Sequence, residues 1–178
     1  MQATHELNRI SADEDFFEKY YGGVNIFNLK QYDEGNCNYD YDEYLNRIKR
    51  HLLVVPDRLQ YTDANDFIYE AFSADISQSK EAALLYCLAR IKVMLYVGQN
   101  DAVVSSSGLQ TFLNSWSWPL RDNWKRAKKE FLMLGDRIYG WRKRYSRLTF
   151  ALINDAGHFV PADQPIGFYS LFSEWLAQ

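Results

Sequence analysis

A chain of 178 residues, 47% of them hydrophobic, is long enough for one ordinary domain with its own core, and its composition excludes disorder throughout. A formal net charge of −3 argues against a general nucleic-acid binder. No apolar run reaches the length of a membrane span, and residues 1–20 are polar and acidic, without the apolar segment of a signal peptide.

Residues 1–78 read as loop-rich with short helical pieces. Tyr44, Ile48 and Leu52 stand four apart and Pro56 follows, which predicts a helix over 43–55. A further helical turn is expected over 66–72. Gly22-Gly23 and Gly35-Asn36 mark turns. Asp75, with Gln78 three residues on, forms a capping box ahead of a helix over 79–89, and Ser77 and Ser79 are alternative caps. Ala82, Leu85, Tyr86 and Ala89 are expected on its packed face. The near-continuous apolar run over 91–97 predicts a strand covered on both faces.

Residues 101–107 read as a loop and 108–113 as a short helix. Trp124, Ala127, Phe131 and Leu134 share one stripe with Lys and Arg opposite. That spacing predicts a helix over 118–134, ended by Gly135 and Gly140. The run 148–153 is a second strand. Pro165 suits the first position of a last helix. Along it Phe168, Leu171, Phe172, Trp175 and Leu176 recur at the spacing of a buried face. Two strands separated by helical material and closed by a helix predict an α/β fold with parallel pairing. Two strands do not make a stable open sheet, so the second half reads as the end of a larger one.

Charge is unevenly spread. Asp13, Glu14, Asp15, Asp33, Glu34, Asp40, Asp42 and Glu43 crowd the first part, and ten Lys and Arg residues crowd 121–147. With no binding motif beside them, these read as two solvated surfaces rather than a phosphate or membrane patch. Cys37 lies in a polar loop and Cys87 in an apolar helical pattern, where burial is expected. Two cysteines cannot build the usual closed zinc site, and their spacing does not decide whether they pair.

The chemistry gathers where the two predicted strands end. Val93-Met94-Leu95-Tyr96-Val97-Gly98-Gln99-Asn100-Asp101 presents a carboxylate after the first strand. Leu148 to Ile153, then Asn154-Asp155-Ala156-Gly157-His158, presents an imidazole on a tight loop after the second. In open α/β sheets, reactive groups collect outside the carboxyl ends of strands. An Asp that accepts from one imidazole nitrogen sets the tautomer and stabilises the imidazolium formed when the other nitrogen takes a proton. This is the general-base half of acyl transfer. The order Ser, Asp, His belongs to α/β-hydrolases. Here Asp101 and His158 supply the last two parts, and no Gly-x-Ser-x-Gly elbow occurs in the chain. Ser105, Ser106 and Ser107 lie in a loop without the strand–elbow–helix context of a nucleophile. His5 and His51 read as exposed or structural.

At these residues the chain resembles the serine carboxypeptidases, which are α/β-hydrolase peptidases. The family's histidine motif asks for apolar strand residues, two small residues, His, a free position, an aliphatic, Pro, three free positions, and Pro, Ser or Ala. Leu148, Ala151, Ile153, Asp155, Ala156, Gly157, His158, Val160, Pro161 and Pro165 meet it. Val93 to Asp101 looks like the family's strand carrying its triad Asp. Gly108, and Leu113 through Trp118, resemble the glycine and helix that follow. Tyr44-Leu45-Asn46-Arg47 is similar to a segment of the helical cap. Gln99-Asn100-Asp101 and the basic stretch from Trp124 to Phe131 look most like the vitellogenic-like members.

The resemblance implies a cap remnant over 1–78 and the C-terminal part of an α/β-hydrolase core over 79–178. It implies removal of C-terminal residues from peptides without metal or cofactor, with Asp101 and His158 catalytic. It implies a lysosomal, vacuolar or extracellular setting. The implied partners are a peptide C-terminus and an N-terminal part carrying the serine, with no nucleic acid and no membrane. The chain departs from the family in lacking the serine elbow, the Gly-rich oxyanion segment and the residues that hold the substrate carboxylate. Ser105 also stands where many members have Asn. Without the nucleophile no acyl-enzyme forms. A non-catalytic remnant acting as a binding module is the alternative expectation. A binder of acidic partners through 121–147 ranks last.

Overall fold

A computed structural model of the chain describes residues 23–31, 41–52, 55–56, 58–61, 65–76 and 78–177. These fall into two compact units, one of 23–31 with 80–177 and the other within 41–79. The expectations for His5, Gly22, Gly35, Asn36, Cys37, Ser77 and most of the acidic crowd lie outside the described residues.

The smaller unit contains α1 (Tyr41–Leu52) and α2 (Asp66–Ile76). The Asn46 side chain accepts from Tyr61 N at 2.7 Å and donates to Tyr61 O at 3.2 Å. Buried Lys49 donates to Asn46 Oδ1 and to Leu59 O, so α1 ties down the segment that follows it. Asn65 accepts from Ile68 N at the start of α2, and Phe67, Ile68, Tyr69 and Phe72 are exposed.

The larger unit is built on a four-stranded sheet in the order β1-β4-β3-β2. Here β1 is Val93–Gly98, β2 Lys129–Leu134, β3 Arg137–Tyr145 and β4 Leu148–Ile153. β1 pairs parallel with β4, as the α/β reading requires; β3 runs antiparallel to β4, and β2 antiparallel to β3. Among the described residues β1 has β4 as its only partner and forms one edge.

Helices cover both faces. Because side chains alternate along a strand, Leu148, Phe150 and Leu152 point to one face of β4 and Thr149, Ala151 and Ile153 to the other. The first face packs against α3 (Glu81–Leu88), α4 (Ser106–Ser115) and α5 (Arg121–Arg126), with Leu88, Leu113, Trp116, Trp118 and Trp124 in the core. The second packs against α6 (Val160–Asp163) and α7 (Pro165–Leu176), through Val160, Leu171 and Phe168. β4, buried at every position, is the centre of both cores.

Several expectations are corrected. The helix expected over 118–134 is α5 followed by β2. Gly135, at φ 59°, and Asp136 form a two-residue turn into β3, so the chain doubles back as a hairpin. Trp124 is 2% exposed, but Phe131 is 71% exposed and shares no helical stripe with it. On α3, Leu84 and Leu88 face the core, while Leu85 and Tyr86 are exposed. The cap of α3 is Lys80, without a side-chain cap bond, so no Asp75–Gln78 box starts it. Ile91 is exposed and precedes β1, whose Tyr96 is also exposed. Phe172 and Leu176 of α7 are exposed, not buried. Cys87 is a free, half-buried thiol.

The basic stretch 121–147 is not one solvated surface either. Arg142, its side chain 11% exposed, makes two 2.7 Å contacts with Glu174 of α7 and one of 3.0 Å with Glu130 of β2. Arg144 adds a 3.1 Å bond to Glu130. Hydrogen bonding to Arg142 holds the carboxyls of Glu174 and Glu130 below the usual range. A depressed folded-state value means stability present above the unfolded value of 4.5 and lost as pH falls. The melting temperature should therefore drop as pH is lowered through that value, and Arg142→Leu should flatten the drop. An equally steep acid limb in that variant would show that the network carries no pH-dependent stability.

Candidate active site

β1 and β4 are in register from Val93↔Leu148 to Gly98↔Ile153, so both strands end at one level. Gln99 N donates to Ile153 O at 2.9 Å, and Asn100 N donates to Ala156 O at 2.8 Å. The two exit loops therefore lie against each other. Gly98 permits this: a Cβ there would stand 2.2 Å from Gly157 O and 2.3 Å from Ala156 O. After β4, Asp155 takes a left-handed φ of 56°, which Asp tolerates better than most residues, and turns the chain back toward β1.

The segment 26–29 straps both loops. Phe27 O accepts from His158 N at 2.6 Å, Asn100 O accepts from Leu29 N at 2.9 Å, and Ile26 O accepts from Ala102 N at 3.1 Å. Gly157 faces this strap, and a Cβ on it would meet Phe27 O at 2.0 Å. From the other side, Asp163 Oδ2 accepts from Gly157 N at 2.7 Å and from Asn28 Nδ2 at 3.1 Å. Asp155 is held by Lys30 and, at 3.5 Å, by Arg137; the Lys30 hydrogen bond keeps its carboxyl below the usual range.

These constraints set one side-chain contact. His158 Nδ1 lies 3.0 Å from Asp101 Oδ2. The other carboxylate oxygen, Oδ1, accepts from Val103 N and Val104 N, each at 2.9 Å. The Asp101 side chain is 4% exposed and that of His158 is 32% exposed. Three N–H groups thus compensate a buried carboxylate, as a charge out of water requires. A carboxylate accepts and cannot donate, so Nδ1 carries the proton in the neutral ring. That leaves Nε2 as a free acceptor. Phe27 and Phe159 flank the imidazole, with ring centroids 5.8 and 5.3 Å away.

Sequence reasoning brought Asp101 and His158 to this point, and the structure places them in contact. Ser105 is elsewhere in role: its Oγ accepts from Gly108 N and caps α4. Sequence reasoning missed the strap and Asp163. The strap acts through backbone carbonyls and carries no side-chain signal. Asp163 stood in a free position of the motif, although an acid five residues after the His, where the chain turns into a helix, is placed to accept backbone N–H groups. Among the described residues no three His, Cys, Asp or Glu side chains are grouped to hold a metal ion. No described helix is long and apolar enough to cross a membrane.

Parallel strands flanked by helices, with an acid and an imidazole at adjacent carboxyl ends, match the arrangement of α/β-hydrolases. The crystal structure of Kex1Δp, a prohormone-processing carboxypeptidase from Saccharomyces cerevisiae, superposes with a TM-score of 0.68 over 99% of this chain and 46% of that one, at 16% identity. The fold is thus that of the α/β-hydrolases. The family model for serine carboxypeptidases matches residues 21–178, and the chain belongs to that family. Among relatives, serine carboxypeptidase-like 49 of Arabidopsis thaliana is 27% identical over 160 residues, covering 87% of this chain and 31% of its own length. Carboxypeptidase Y homolog A of Fusarium vanettenii is 29% identical over 162 residues, covering 86% and 30%. The venom serine carboxypeptidase of Apis mellifera is 32% identical over 92 residues, covering 52% and 20%. The chain spans about a third of the length of the first two.

Two substitutions test the local physics. Gly98→Ala forces a Cβ into two backbone carbonyls that cannot rotate away, and should cost about 1–3 kcal/mol of stability in chemical denaturation. Asp163→Ala strips the buried Gly157 N–H of its acceptor. It should cost about 1–3 kcal/mol and raise hydrogen exchange at Gly157 while leaving the β4 amides protected. Unchanged exchange at Gly157 would mean that the strap alone holds the loop.

Proposed function

We propose that this chain is the carboxyl-terminal portion of a serine-type carboxypeptidase, and that it supplies the Asp and His of a Ser-Asp-His mechanism. The observation that carries this reading is the 3.0 Å contact between His158 Nδ1 and Asp101 Oδ2, at the ends of neighbouring parallel strands, in a chain of that family. The serine comes from a segment outside this chain, either upstream in a longer protein or on a second polypeptide.

The chemistry follows from the ring's orientation. Nε2 takes the proton of the serine hydroxyl as Oγ attacks the carbonyl carbon of the last peptide bond, and the carbonyl π pair moves onto oxygen. Collapse of that intermediate breaks the C–N bond, and His158 returns the proton to the departing amino acid. Water, deprotonated by the same nitrogen, then attacks the acyl carbon; the C–Oγ bond breaks, and His158 returns that proton to the serine oxygen. Asp101 stays ionised throughout, holds the tautomer and stabilises the imidazolium. Neither metal nor cofactor takes part in these steps.

A division into a cap over 1–78 and a core over 79–178 draws support from the separate compact unit within 41–79, although residues 23–31 cluster with 80–177. The family supports a vacuolar, lysosomal or extracellular setting and a peptide C-terminus as substrate. Among the described residues one edge of β1 is unpaired, which supports a strand contributed from outside this chain.

The test joins this chain to the serine-bearing N-terminal segment of a family member, once as one polypeptide and once as a two-chain mixture. Release of the C-terminal residue from a blocked dipeptide is assayed at pH 5. Activity should appear in the joined protein and fall about 10⁴-fold in Asp101→Asn. Alone, the chain should bind a hydrophobic dye, and the added segment should displace it. An active fusion with an inert mixture would rule out a separate serine chain. Full activity in both Asp101→Asn and His158→Ala would rule out the catalytic reading and leave a binding module.

A further inference from the structure

A second cluster of charge has no part in the site above. Lys129 and Lys143 are direct partners across the antiparallel β2–β3 pair, on the sheet face that carries Trp141. Like charges placed opposite one another on a sheet repel. One of the two is also largely covered: Lys143 is 9% exposed. Its Nζ donates to Lys125 O at 3.3 Å and lies 5.0 Å from the centroid of the Trp124 ring. Lys129 Nζ sits 3.9 Å from the centroid of the Trp141 ring. Among the described residues neither ammonium has a carboxylate within 4.0 Å.

Among the described residues the nearby acids are committed elsewhere. Glu130 points to the opposite face, where Arg142 and Arg144 hold it. Asp122 stands beside Arg121. Asp136 lies in the hairpin turn, at the far end of the strands from Lys129 and Lys143. Burial, and then the charge of Lys129, hold the Lys143 ammonium below the ordinary lysine range. A buried charge without a counter-ion is costly, and a methionine or leucine would fill the same space without that cost.

Between the two lysines lies a cavity of about 120 Å³. Trp124 and Trp141 line it, together with Gln110 and Asn114 of α4. It falls short of the roughly 300 Å³ at which drug-sized ligand sites begin. Its lining offers two lysines, the amide side chains of Gln110, which already donates to Ser106 O at 3.2 Å, and Asn114, and two indole rings. We infer that this cavity is an anion site, taking one small oxyanion of the carboxylate or phosphate class between Lys143 and Lys129. The site shares no residue with the Asp101–His158 pair, so it stands or falls independently of the proposed catalysis.

The intact chain is titrated with inorganic phosphate, and separately with acetate, at pH 7 and constant ionic strength held with sodium chloride. Tryptophan fluorescence reports the site through Trp124 and Trp141. At least one probe should bind saturably, with affinity at least tenfold weaker in Lys143→Met. Lys129→Met, at an exposed side chain, should weaken binding in the same direction and keeps the test open should Lys143→Met fail to fold. Saturation by phosphate alone assigns a phosphate site, by acetate alone a carboxylate site, and by both a general oxyanion site. A response that rises linearly with either salt, or that is the same in the lysine variants, overturns the inference, because excluded salts stabilise every protein without a site.

Discussion

The close approach of two backbones governs this molecule. β1 and β4 run parallel and stop at the same level, and beyond them Gly98 lies against the carbonyls of Ala156 and Gly157. Productive geometry in a catalytic constellation tolerates about 0.5 Å. A Cβ at Gly98 would sit 2.2 Å from the nearest carbonyl oxygen, so it would displace one loop by more than that tolerance. The acid and the imidazole meet because two main chains can touch; their side chains contribute only the last hydrogen bond. The strap at 26–29 and the Asp163 carboxylate then hold the imidazole loop from both sides, again through backbone groups.

That division explains what could be read from the sequence. β4, the approximate end of β1, and the acid and imidazole that follow them are legible because an uninterrupted apolar run ending in small or turn-forming residues has few other solutions. α7 is legible from Pro165 and its spaced aromatics. α3 was placed correctly but turned the wrong way. Its eight residues are apolar almost all round, so no stripe marks the side that meets the sheet. The strap was invisible because Ile26 and Phe27 contribute carbonyl oxygens that any residue would have offered.

The β2–β3 hairpin is the larger miss, and its cause is specific. Trp124, Ala127, Phe131 and Leu134 happen to satisfy helical spacing, although the chain ends its helix at Arg126. The sequence does hold a two-residue turn pair, Gly135-Asp136, between segments of mixed polarity. The signal is weak because β2 carries so little inward side chain: Leu132 alone is buried. An edge strand with one buried residue has almost no periodicity to detect. Its place is set by β3, where Trp141, Lys143 and Tyr145 alternate with Arg142 and Arg144.

This alternation also undoes the idea of a single basic surface. Arg142 and Lys143 are neighbours in sequence, yet the pleat sends them to opposite faces with opposite outcomes. Arg142 points toward α7, and two glutamates from two different elements close around it. Lys143 points toward α5 and meets a carbonyl, an indole ring and another lysine. Both are nearly buried, and burial of a cation is tolerated only where something answers its charge. On one face the protein supplies that answer from its own residues. On the other, every nearby acid among the described residues is turned away or too distant, and a small cavity stands beside the two lysines. An oxyanion in that cavity would give Lys143 what Glu130 and Glu174 give Arg142, and would turn the repulsion between facing lysines into a shared grip on one ligand.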